Sequence, residues 1–332
     1  MPSPLKYNSS YNKLTDEERA LLDINKSSIA DFVEQSSAIS DVPYATRNAH
    51  AKSYIVAKGE FILRQDIPEK IRPFFDREKY DLTIRLSHAH PKILRGQKEI
   101  PAYGFAIKLQ DEGGKLIVNY PLVNFPLFPI NSVSTFLKLF TSVNRFFVKK
   151  WSSFSLILQI LRVIPSTLTV SFIKNSIQLW ARRNDFFLSF DYHSVGVYRL
   201  GDYMMKIRLS PKSVDRHFGK KLKTKEALQQ YLADYDFTAD IMIQLCYNLE
   251  DQPINKLNVE WKNSPFIKIG ELKIKKNALL DPAACENELL SFNPFESHPF
   301  FQPVGKLQKL RDEAYKVSMQ TRLKINTLLK YK

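Results

Sequence analysis

SYIVAKGEFIL, residues 53–63, reads with a period of two and is rich in β-branched and aromatic residues, the pattern of a half-buried strand. Three stretches repeat it: YDLTIRLSH (80–88), YGFAIKLQ (103–110) and KLIVNYP (115–121), the last two separated by a Glu112-Gly113-Gly114 turn. A second set follows at DFFLSFDYH (185–193), SVGVYRL (194–200), DYMMKIRLSP (202–211), DFTADIMIQLCYNL (236–249), LNVEWKN (257–263) and IKIGELKI (267–274). Two runs of antiparallel strands around a helical insert, with helices at both ends, predict an α+β fold: a closed antiparallel β-barrel of about eight strands with flanking helices. Side chains fill the interior of a barrel that size. A large flat ligand would therefore lie between the barrel and its helices.

Outside the strands, residues 16–38 read as a helix, with Thr15 or Asp16 as its cap and Glu17 and Glu18 in the first turn. Residues 125–185 are strongly apolar, yet Lys, Arg, Asn and Pro interrupt them before the ~20 residues that a membrane span needs. They read as buried or interfacial helices. The 332 residues are 44% hydrophobic, and ten glycines with no low-complexity run give little sign of a flexible linker. The organisation expected is an N-terminal arm and helix over 1–40, then one domain over 41–332 carrying the apolar insertion.

The net charge of +15 suits an acidic partner, but the lysines are scattered. The densest run, His217 to Lys225, reads as a solvated loop, and no nucleic-acid partner is expected. Cys246 and Cys285 have neither zinc nor disulfide spacing. The N-terminus has no apolar stretch of secretory length, which makes a cytoplasmic location the default, with peripheral membrane contact and a homo-oligomer left open.

A C-terminal helix over LQKLRDEAYKVSMQTRLKINTLL places Arg311, Tyr315, Ser318 and Arg322 on one stripe, at i, i+4, i+7 and i+11. A cation one turn from a tyrosine favours the phenolate, a hard anionic ligand for ferric iron. A second arginine two turns along is placed to meet a carboxylate on the same ligand. Ser318 shares the stripe without an evident chemical task.

Three more pieces accompany this helix. Arg47-Asn48-Ala49-His50-Ala51-Lys52 opens the first strand, Arg85-Leu86-Ser87 closes the second, and Asn119-Tyr120-Pro121 ends the fourth. In this order and spacing, with Arg311-Asp312-Glu313-Ala314-Tyr315, they resemble the haem catalases, and more closely the short branch without extra C-terminal domains. The resemblance covers most of residues 40–325 and includes Tyr103 to Lys108, Tyr198 to Tyr203 and Ser291 to Phe295 followed by Pro303 to Leu307.

The resemblance implies a domain that binds ferric haem b through Tyr315, with Arg311 as the charge partner of that tyrosine. His50 would be the distal base and Ser87 would fix its tautomer. Asn119 would hydrogen-bond the peroxide, although a shift of one residue would put Tyr120 there instead. Arg47, Arg85 and Arg322 would pair with the haem propionates. Ser53, Tyr103 and the Lys316-Val317-Ser318 run depart from the usual family residues. These departures point away from high-turnover dismutation and toward a peroxidase acting on hydrogen peroxide or organic, including lipid, hydroperoxides with an unassigned reductant. Ala49 stands where catalase-like allene oxide synthases carry threonine, which speaks against a hydroperoxide isomerase without removing it; that isomerase and a non-catalytic haem-binding or sensing protein are the two alternatives. His88 and His90 read as surface or supporting residues rather than metal ligands.

Overall fold

The computed structural model describes residues 3–96, 99–149, 153–280 and 289–330. Cys285 lies outside the described residues. The strands are β1 (Ser53–Leu63), β2 (Lys79–His88), β3 (Tyr103–Gln110), β4 (Leu116–Val123), β5 (Tyr192–His193), β6 (Val197–Leu200), β7 (Tyr203–Pro211), β8 (Phe237–Leu245), β9 (Phe266–Ile274), β10 (Leu279–Leu280) and β11 (Pro303–Val304). Antiparallel pairing runs β5-β4-β3-β2-β1-β9-β8, and β7 joins β8 to β5. That closes a barrel of eight strands, while β6 and β11 extend from β7 and β10 adds to β1.

Alternation along the strands sorts residues between two faces. Ile55, Ala57 and Phe61 of β1, Leu82, Ile84 and Leu86 of β2, and Phe105, Ile107 and Leu109 of β3 join the main apolar core. The intervening Arg85, Ser87, Ala106, Lys108 and Asn119 take the outer face, where register pairs Arg85 with Ala106, Ser87 with Gly104 and Lys108 with Asn119. Two of the expected strands are corrected. LNVEWKN is a loop, pinned where the Trp261 indole donates to the Pro253 carbonyl and Gln244 donates to the Ser264 carbonyl. In DFFLSFDYH only Tyr192 and His193 remain extended, because Phe187–Ser189 winds into a 3₁₀ turn that buries Phe187 and Leu188.

The helices are α1 (Asp16–Gln35), α2 (Val133–Phe147), α3 (Ser153–Leu161), α4 (Ile164–Thr167), α5 (Val170–Ala181), α6 (Thr224–Asp234) and α7 (Lys306–Lys330). Thr15 caps α1 in a reciprocal capping box with Glu18. Leu14, Leu22, Val133, Leu137, Leu307 and Leu310 pack α1, α2 and α7 together. Between α1 and α2 a buried polar seam runs from Asn25 to Thr141 (3.0 Å) and from Asn144 to Ser28 (3.1 Å), fixing their register.

β1 and β9 approach closely enough to exclude side chains. A Cβ at Gly270 would stand 2.4 Å from the Ile62 carbonyl oxygen and against the Phe61 ring. Gly270→Ala is expected to destabilise the barrel by roughly 1–3 kcal/mol, the usual cost of overpacking a tight core. A urea midpoint unchanged from the parent would contradict this account of the seam.

Candidate active site

The segment before β1 is threaded between helices. Ala45 exchanges two hydrogen bonds with Asn326 of α7, its N–H donating at 2.8 Å and its carbonyl accepting at 3.0 Å. The Thr46 N–H donates to Ser36 Oγ at the end of α1. Arg47 then donates to the Leu290 carbonyl at 2.8 Å. Three residues on, His50 has φ of 51°, in the left-handed region that costs an L-residue roughly 1–2 kcal/mol. Strain of this kind persists where the surroundings over-determine a geometry.

Those surroundings are specific. His50 Nδ1 lies 3.2 Å from Ser87 Oγ, and the ring rests on Gly104, where a Cβ would come within 2.6 Å of Nδ1. Arg85 donates to the carbonyls of His50 (2.8 Å) and Ala51 (3.2 Å). Burial, then the positive charge of Arg85, His88, Arg311 and Arg47, pushes the His50 imidazole down to about 3. His50 is therefore a neutral base across the physiological range. His88 is buried, not at the surface: its Nε2–H donates to the Ile100 carbonyl and its Nδ1 accepts from the His90 N–H.

From α7, Arg311 donates to Tyr315 Oη at 3.5 Å, to Tyr198 Oη at 3.4 Å and to Gln308 Oε1 at 2.8 Å. Burial disfavours the Arg311 charge, but the two phenols outweigh it and raise its pKa. Arg322 is buried about three turns further along the same face of the helix, its Nε donating to the Ser318 carbonyl and its Nη2 to Met319 Sδ. Ser318 is buried, and its carbonyl is what it contributes.

β4 separates Asn119 from Tyr120. Tyr120 points into the barrel, its ring 5.2 Å from that of Tyr198 in a T-shaped contact. Asn119 is on the outer face, wholly buried, with Nδ2 donating to the Asn293 carbonyl (2.8 Å) and its N–H to Ser297 Oγ. Asn119 Oδ1 is buried with no hydrogen-bond partner among the described residues. The structure thus brings together His50, Ser87, Arg85, Arg47 and Arg311 with Tyr315, whereas the bonds of Asn119 go to the 293–297 segment.

A separate cavity of about 580 Å³ opens between α5 and the outer side of β5 and β7, with His193, Lys206, Arg208 and Trp261 among its walls. Burial lowers Lys206 to about 8, against the pull of Glu260. Two cations at i and i+2 in DYMMKIRLSP were the available sequence signal for this cavity.

Similarity to solved structures bears on the fold. A bacterial catalase superposes with a TM-score of 0.63 at 15% identity, over 88% of this chain and 60% of that one. The fold is catalase-like. A fungal catalase (TM-score 0.57, 17% identity) and catalase A from Saccharomyces cerevisiae (TM-score 0.57, 16% identity) match over 97% of this chain. The chain spans 60%, 65% and 67% of the length of these three catalases. No protein-family model and no curated protein sequence matches.

The depressed His50 pKa fixes the direction of a stability change. Between about 6.5 and about 3 the unfolded chain takes up a proton at this residue that the folded chain refuses, so His50 makes stability rise with pH across that window. His50→Asn, whose new side chain tolerates a left-handed backbone, should flatten part of the acid loss. Equal losses of unfolding free energy in parent and variant between pH 7 and pH 4.5 would contradict the assignment.

Proposed function

We propose that this chain is a haem-dependent, catalase-like oxidoreductase acting on hydroperoxides, with Tyr315 as the protein ligand to iron and His50 as the distal base. The supporting observation is one constellation. A neutral imidazole is held on Ser87 and Gly104 and feels Arg47, Arg85 and Arg311, and the last of these lies within hydrogen-bond reach of Tyr315.

The donor set fits ferric haem. It offers one phenol oxygen as a hard ligand, arginines for two carboxylates, and a buried Asn119 Oδ1 that no group among the described residues satisfies. Bound there, haem would supply the redox centre at which a peroxide O–O bond breaks. Arg311, within hydrogen-bond reach of the Tyr315 oxygen, would be the charge partner of that ligand. Arg47, Arg85 and Arg322 would hold the propionates; the carbonyls of Leu290, His50, Ala51 and Ser318 orient these side chains.

The proton work falls to His50, which accepts a proton from one peroxide oxygen and delivers it to the departing one, so that water leaves instead of hydroxide. Ser87 fixes the ring for both transfers. Asn119 is tied to the 293–297 segment by one amide hydrogen and its N–H, so its second amide hydrogen and Oδ1 are what it would offer a peroxide. The changed residues Tyr103 and Lys316 to Ser318 favour turnover with an external reductant over dismutation.

Haem-loaded protein should consume a reducing co-substrate when given hydrogen peroxide or an organic hydroperoxide. His50→Ala should keep haem while slowing peroxide cleavage by roughly 10²–10⁴-fold, the usual contribution of a general base. A His50→Ala protein with parental rates, or a haem spectrum that no peroxide perturbs, would overturn the reading.

A further inference from the structure

Helices α3 and α5 expose the stripes that helices normally bury. Phe154, Ile157, Leu158 and Leu161 recur at i, i+3, i+4 and i+7 on α3, and Val170, Ile173, Ile177 and Trp180 at i, i+3, i+7 and i+10 on α5. All eight are exposed, Phe154 at 76% and Val170 at 84%. Ile160, Ile164 and Leu168 extend the patch through α4. Among the described residues, eleven of the nineteen exposed large hydrophobic ones thus fall within residues 154–180, a concentration far beyond the scattered apolar residues of an ordinary surface.

Polar bonds on the other side hold α4 and α5 in place. Asn258 donates to the Ser166 carbonyl at 2.7 Å, Thr169 donates to the Asn258 carbonyl at 3.3 Å, and Asn175 donates to Glu260 at 2.5 Å. On α5 these bonds, together with Phe172 against Phe125 and Leu179 against the main core, occupy the inward side and leave the apolar stripe outward.

Charge says what covers the patch. Residues 125–184 contain eight Lys or Arg and no Asp or Glu. Arg162, Lys174 and Arg183 stand exposed among the apolar stripes. A second copy of the chain on this face would bring two sets of cations together with no carboxylate between them, whereas an anionic headgroup layer complements both the charge and the apolar surface. Among the described residues no helix is long and apolar enough to cross a membrane, so the contact is interfacial.

We propose that α3–α5 form a docking surface for an anionic lipid bilayer, with the apolar stripes in the headgroup and upper acyl region and Arg162, Lys174 and Arg183 on lipid phosphates. The surface stands independently of peroxide chemistry. It is joined to the His50 loop through α2, whose Phe147 ring meets His90, and the His90 carbonyl accepts the Ala51 N–H.

Flotation of the full chain with phosphatidylglycerol/phosphatidylcholine vesicles tests this. Binding is expected at low salt, with at least a tenfold weaker affinity for pure phosphatidylcholine or at high salt, and a blue shift of tryptophan emission that Trp180→Phe removes. Ile157→Glu combined with Ile177→Glu should abolish binding while the thermal midpoint stays put, since both side chains are already exposed. Absence of binding to the anionic vesicles would overturn the proposal. So would a stable dimer, seen by sedimentation equilibrium, that the same substitutions dissociate and that does not bind vesicles.

Discussion

The guanidinium of Arg311 is the junction on which the site depends. It reaches from α7 to Tyr198 on β6 and back to Tyr315 on its own helix. Enclosing a cation is expensive unless its donors are matched, and here two phenols and an amide oxygen do the matching. Two of these bonds stay within α7, so the bond to Tyr198 is the one that fixes the register of the helix against β6. At its other end α7 is tied to Ala45 through Asn326, and that tie leads within five residues to His50. One helix of 25 residues therefore sets both the tyrosine and the approach of the segment that carries the imidazole.

The distal side depends on the barrel in a different way. Ser87 and Gly104 are a cross-strand pair on the outer face of β2 and β3. One supplies a hydroxyl and the other supplies the absence of a side chain. The backbone of His50 sits in an unfavourable region because the ring is held by this pair while Arg85 holds the carbonyl. Arg85 and Arg47 are likewise anchored on backbone carbonyls, so positive charge gathers beside a neutral base.

Local periodicity made β1 to β4 and the eight-stranded closure legible, because period-two patterning reports a half-buried strand wherever it occurs. LNVEWKN misled for the same reason: it alternates, but its polar groups bind across a loop, which no local pattern reveals. Strand parity separated Asn119 from Tyr120 only once the register with β3 was known. The left-handed His50, the 293–297 cover over Asn119 and the Asn326 tie all rest on contacts between residues distant in sequence. The cavity at Lys206 likewise needed the fold, since its walls come from seven separate stretches of chain.

A catalase-like fold at 15–17% identity fixes the scaffold and leaves the chemistry to particular residues. The central claim is that Tyr315 holds haem iron while the arginines hold its propionates. Titration of the purified chain with ferric haem, followed in the Soret region, tests it most directly. One equivalent should bind to the parent, and Tyr315→Phe should lose the tyrosinate-ligated spectrum and most of the affinity. Uptake with the same spectrum and affinity in the Tyr315→Phe protein, or no uptake by the parent, would contradict the account.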